Sequence, residues 1–130
     1  MAKGYDSHRE HQDLVTSFGK ILGKRAGFRC EWCESKESLR PWEYRPGEEP
    51  ALELLLLLCE RCRALASGAA PEPGELHYLR NALWSDVEAI AAGAGRVLVR
   101  SRVPWAREAI EESIYDEALK EELFKELRQG

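Results

Sequence analysis

The chain has 130 residues, of which 44 % are hydrophobic and 32 % charged, with a formal net charge of −4. This is the size and composition of one ordinary globular domain. An acidic balance argues against a protein that holds nucleic acid by overall charge, and leaves only a local basic patch for that role. The N-terminal residues carry no apolar run of the secretion-signal kind, and the longest apolar stretch, residues 54–58, is far short of a membrane span. The expected compartment is the cytoplasm.

In chain order, Ser7 and Glu10 fit the S-x-x-E capping box. They predict an amphipathic helix over residues 8–25, with Leu14, Phe18, Ile21 and Leu22 turned inward and Gly27 as its stop. Gly19 and Gly23 either allow close packing on the cysteine-bearing module or are simply tolerated. Residues 39–44 predict an extended segment that Pro41 marks as an edge strand or irregular, and residues 47–50 a turn. Residues 54–58 predict a short strand buried on both faces, although periodicity alone leaves a helix open. A short helix is expected from Arg63 onward.

Residues 67–74, with two prolines and two glycines, form the natural joint. They separate an N-terminal part, 1–66, from a helical part, 75–130, expected to pack on it as one compact domain. In the second part Leu76, Leu79 and Leu83 lie on one helix, and a second capping box, Ser85 with Glu88, opens the next. That helix carries Val87, Ile90, Ala91, Ala94, Val97 and Leu98 on one face, with Arg96, Arg100 and Arg102 suited to the dipole at its end. Pro104 breaks it or opens the following helix, where Trp105, Ala109 and Ile110 face inward. Ile114, Leu119, Leu123 and Leu127 mark a last, acidic helix. Trp84 and Trp105 are expected as core anchors.

All four cysteines lie in two C-x-x-C turns, Cys30/Cys33 and Cys59/Cys62, separated by the 25 residues 34–58. In a reducing compartment that pattern favours metal over disulfides. Each turn presents two sulfurs on one side of a tight loop, and two turns complete the tetrahedral shell of one Zn2+ ion. A redox C-x-x-C stands singly before a helix in a strand–helix–strand setting, which this chain lacks. Four cysteines also serve iron–sulfur centres, whose usual spacings differ, so iron stays open as the lesser alternative. A four-cysteine shell has no position left for water or substrate, so the zinc is expected to be structural. Lys24, Arg25, Arg29, Arg61 and Arg63 are near enough in sequence to offset its formal charge of about −2. The expected fold is therefore α+β and mostly α: a zinc-ribbon or treble-clef-like module with a short β-hairpin, packed against a helical C-terminal half.

The run from Arg25 through Cys33, then Leu39-Arg40-Pro41, then Leu55 through Cys62, resembles the N-terminal zinc-ribbon region of bacterial PhnA-like proteins. The likeness extends through His77 to Val87, to Trp105-Ala106, and back to Lys3-Gly4-Tyr5-Asp6 and Phe18-Gly19-Lys20, so it covers most of the chain. It implies a zinc-containing cytoplasmic protein and no catalytic residues. The family name derives from phosphonate utilisation, which raises a phosphonate-related hydrolase as one alternative. A weaker likeness is to the zinc modules of HNH nucleases. Their chemistry needs histidines to activate water and hold a second metal, whereas here Trp42-Glu43-Tyr44 and Arg63 occupy the corresponding places.

His8 and His11 are expected to be solvated, and His77 to be a partly buried packing residue. No nucleophile elbow, phosphate loop or catalytic carboxylate pair is present; residues 116–117 and 121–122 read as a solvated acidic face. Lys20, Lys24, Arg25 and Arg29 flank Phe28 and Trp32, a mixture that suits a single nucleic-acid strand but is better explained by thiolate-charge compensation and ordinary surface. The expectation is a non-catalytic interaction or accessory module with an unknown protein partner. A nucleic-acid-binding ribbon is the alternative.

Overall fold

The computed structural model describes the backbone of residues 2–129 and the side chains of residues 9–128. Helices α1 (Ala2–Ser17) and α2 (Gly19–Ala26) lead into strand β1 (Arg40–Glu43). A single 3-10 turn (Leu52–Leu54) precedes β2 (Leu55–Leu58) and α3 (Glu60–Ala66). Four helices follow: α4 (Pro73–Ala82), α5 (Glu88–Arg100), α6 (Ala106–Ser113) and α7 (Glu117–Gln129). The protein is mostly helical, with one two-stranded antiparallel sheet in which Pro41 faces Leu57 and Trp42 faces Leu56. Each strand is an edge, so Pro41 removes no donor that an inner strand would need.

The lead-in helix differs from the expected one. It begins at Ala2, so Ser7 lies inside it and is not its cap, and it breaks at Phe18 into α1 and α2. The inner face is Val15 and Leu22 with Phe18 half-buried; Leu14 and Ile21 are exposed. Gly27 does stop α2: its φ of 65° is left-handed, and the Phe28 N–H donates to the Gly23 carbonyl at 2.7 Å, as in a Schellman turn. Gly23 accommodates the Phe28 ring and not the cysteine segment, since a Cβ there would meet that ring at 2.8 Å.

β2 is buried on both faces, all four leucines being 5 % exposed or less. Leu55 and Leu57 join Val15 and Leu22 beneath α2, while Leu56 and Leu58 face the other way into the main core. Complete burial of a leucine contributes about 1.5–3 kcal/mol, which makes this four-residue strand the hub of its half.

The main core is built on α5. Nine of its thirteen residues are buried, from Ala89 to Val99, because it packs against α3, α4, α6, α7 and β2. A helix apolar on most of its circumference belongs in the centre of a bundle. One apolar cluster takes Cys30, Trp32, Leu56 and Cys62 from the first part together with Leu79, Leu98, Ile110 and Leu123 from the second. Gly93 makes this junction close: a Cβ there would lie 3.1 Å from the Trp32 ring, whose Nε1–H donates to the Ile90 carbonyl at 3.1 Å.

Several smaller expectations shift. α3 starts at Glu60, earlier than Arg63, with Cys59 at its N-cap. α4 starts at Pro73, and its capping box is Glu72 with Glu75. Ser85 does not cap α5; its hydroxyl accepts from the Val87 N–H and shapes the turn before the helix. Ile114 is buried but precedes α7, where Asp116 accepts from the Leu119 N–H. Trp105 is half-buried beneath the Arg80 guanidinium, whereas Trp84 is 55 % exposed and anchors no core. Among the described residues, no helix is long and apolar enough to cross a membrane.

Candidate metal centre

The two cysteine turns reach one point by different routes. In the first, the Glu34 N–H donates to the Cys30 carbonyl and the Cys30 N–H to the Ser35 carbonyl, at 2.9 and 2.8 Å, with Glu34 left-handed at φ 68°. The second is carried by β2 into α3: the Cys62 N–H points at the Cys59 sulfur, 3.5 Å away. The antiparallel sheet brings the turns together, and Glu31 fastens them. Its N–H donates to the Leu57 carbonyl, and its carboxylate accepts from the Leu57 N–H, both at 2.8 Å.

As a result Cys30, Cys33, Cys59 and Cys62 place their sulfurs within 4.8 Å of one another, with Cys33 and Cys59 3.5 Å apart. With metal–sulfur bonds of about 2.3 Å, a tetrahedral shell needs sulfurs about 3.8 Å apart. The observed set therefore fits one metal ion with small adjustments, and none of the four is in a disulfide. Cys30, Cys59 and Cys62 are buried and Cys33 is half-buried.

Proton sharing tells the same story. The hydrogen bond from Cys62 draws the Cys30 thiol down to about 5, and that same bond, with burial, pushes Cys62 far above its ordinary range. Burial pushes Cys33 up to about 11. Closely packed sulfurs thus do not ionise independently, and a cation at their centre would replace the shared protons.

An outer layer surrounds the sulfurs. The Tyr78 hydroxyl on α4 lies 3.5 Å from the Cys62 sulfur and 3.4 Å from Glu75, whose carboxylate takes two 2.7 Å bonds from Arg61. Burial, then contact with Cys62, raises the hydroxyl above its ordinary range and keeps it protonated, hence a donor. Nothing in the sequence pattern singled out Tyr78, which lies 16 residues beyond Cys62 and reaches it only through the packing of α4.

The arginines expected to neutralise the thiolates serve the backbone. Arg25 makes two bonds to the buried Glu31 carboxylate and two more to the Leu52 and Leu55 carbonyls, all between 2.7 and 2.9 Å. Arg63 donates to the Ser38 and Leu58 carbonyls. Arg61 holds Glu75 and the Ala70 carbonyl. Lys20, Lys24 and Arg29 are exposed. Further on, Arg96 lies over the Tyr44 ring and pairs with Glu126, so its place is between α5 and α7 and not only at a helix end.

Among the described residues, no histidine joins the cysteine cluster. His11 is half-buried, not solvated, and bonds Glu43 at 2.6 Å, tying α1 to β1. His77 is exposed, not a packing residue, and the side chain of His8 lies outside the described residues. The acidic residues 116–117 and 121–122 are exposed as expected, with Glu122 reaching Arg45 and Glu121 reaching Arg128.

No protein-family model, curated protein or solved structure matches the chain significantly.

Proposed function

We propose that the four sulfurs hold one structural Zn2+ ion in a zinc-ribbon or treble-clef-like module, and that the protein acts in the cytoplasm as a non-catalytic interaction module. The observation that supports this best is the convergence of four cysteine sulfurs within 4.8 Å, three of them buried. Four thiolates select zinc among common divalent ions, fill its coordination shell and leave no site for a reacting water. Kinship with PhnA-like proteins belongs to the same proposal and rests on the residues around the two turns. The name-derived phosphonate hydrolase has no acid/base pair or open metal position to support it.

The nucleic-acid alternative draws on fewer residues than the sequence offers. Arg25 is committed to Glu31, leaving Lys20, Lys24 and Arg29 exposed on that segment. The test is affinity capture from cells with the native chain and a Cys59→Ser variant, each treated with and without nuclease. A protein partner captured by the native chain and insensitive to nuclease supports the proposal. Capture that depends wholly on nucleic acid, or phosphate release from phosphonoacetate by the zinc-loaded chain, would overturn it.

A further inference from the structure

Among the described residues, six large apolar side chains are exposed: Leu14, Ile21, Phe28, Leu52, Trp84 and Tyr115. Two of them face one cleft. Trp84, in the turn between α4 and α5, and Tyr115, in the turn between α6 and α7, are 55 % and 80 % exposed and line a cavity of about 370 Å³. Its floor is apolar, formed by Leu83, Ile114 and Leu119, which are 1 %, 4 % and 8 % exposed. This volume falls in the range of small-molecule and side-chain pockets.

The cleft carries one sign of charge. Glu53, Asp86, Glu88 and Asp116 line it, and no lysine, arginine or histidine does. Glu88 shares Arg45 at 3.4 Å, and one oxygen of Asp116 caps α7. Glu53 and Asp86 enter no ion pair among the described residues. The complementary group is a cation on an apolar stem, able to lie on an aromatic face with its charge toward carboxylates. Arginine meets this description best, because its planar guanidinium stacks on indole and forks to carboxylate oxygens while its methylenes cover the floor. An anionic strand is repelled by the same wall.

We propose that this cleft is the docking site for an arginine-bearing, basic segment of a partner protein, with Trp84 and Tyr115 as its walls and Glu53 and Asp86 as its charge partners. The proposal gives chemistry to the interaction role above and rests on that role. It does not rest on the metal, because none of the four charge-bearing residues is a cysteine neighbour.

Calorimetric titration of the zinc-loaded full chain with a hexa-arginine amide peptide tests it, with Trp fluorescence as a second readout. Saturable one-to-one binding is expected, with Trp84→Ala weakening it about tenfold, the effect of one lost cation–π contact. Asp86→Asn combined with Glu53→Gln should weaken it at least as much and lower its salt dependence. Both changes are on the surface, and unchanged melting temperatures would confirm folded variants. No binding, equal binding by native chain and both variants, or tighter binding of a single-stranded oligonucleotide than of the peptide would overturn the proposal. The cell-capture experiment decides the interaction role separately: a partner captured there whose binding survives Trp84→Ala would overturn this cleft and leave the role standing.

Discussion

The two halves of this molecule are held together by different physics. Around α5, order comes mainly from apolar burial: Leu79, Leu98, Ile110 and Leu123 are 2 % exposed or less, with a few polar contacts such as Arg96 to Glu126 at the rim. Around the cysteine turns, order comes from a few directional contacts on a sheet of only two short strands: Glu31 on Leu57, Arg25 on Glu31, and four converging sulfurs. A two-stranded hairpin is marginal alone in water. The same chain thus adds a metal-capable cluster and directional contacts where its sheet is short, beside the buried leucines of β2.

The difference can be broken from either side. The largest effect is expected from Cys59→Ser or from chelation, which should remove hydrogen-exchange protection from β1, β2 and α3 while α5 to α7 keep most of theirs; uniform loss across both halves would show a single metal-dependent unit. Leu98→Ala, in the centre of α5, should cost about 2–5 kcal/mol by urea unfolding and do so with metal bound or removed. Glu31→Gln should cost on the order of 2–3 kcal/mol, less than the 3–5 of a fully buried pair because Arg25 is 23 % exposed.

Smaller changes sharpen the boundary between the halves. Tyr78→Phe should leave stability nearly unchanged yet speed metal release to a chromogenic chelator about tenfold, at the low end of outer-shell effects. The Arg61 guanidinium holds the Glu75 carboxyl down to about 2 from an ordinary 4.5. A depressed folded value means that the contact stabilises fully above pH 4.5 and is lost as pH falls through about 2. The stability difference between the native chain and Arg61→Gln should therefore be flat at neutral pH and vanish in strong acid.

Much of this was legible in the residues. Four cysteines at fixed spacing named the candidate ligands, and a continuous leucine run running into Cys59 named the buried strand, because both signals are local and chemical. The helical half followed from period and small residues. Orientation was harder. Leu14 and Ile21 share helical spacing with Leu22, but the face that packs on β2 is the one through Val15 and Leu22. Trp84 reads as a core residue by type, and only the turn after α4 places it outside. The arginines near the cysteines were visible, yet their partners are carbonyls and carboxylates brought close by tertiary folding, as with Arg63 and the Ser38 carbonyl. The pairing of His11 with Glu43 spans 32 residues and left no local trace.

Cys30, Cys33, Cys59 and Cys62 are placed to close around one ion. Native mass spectrometry of the purified chain, with metal analysis on the same sample, tests it directly. One zinc per chain is expected, with a mass corresponding to the loss of thiol protons on binding. A chain isolated with less than about half an equivalent of zinc or iron, all four thiols protonated and its melting temperature unmoved by chelation, would contradict it.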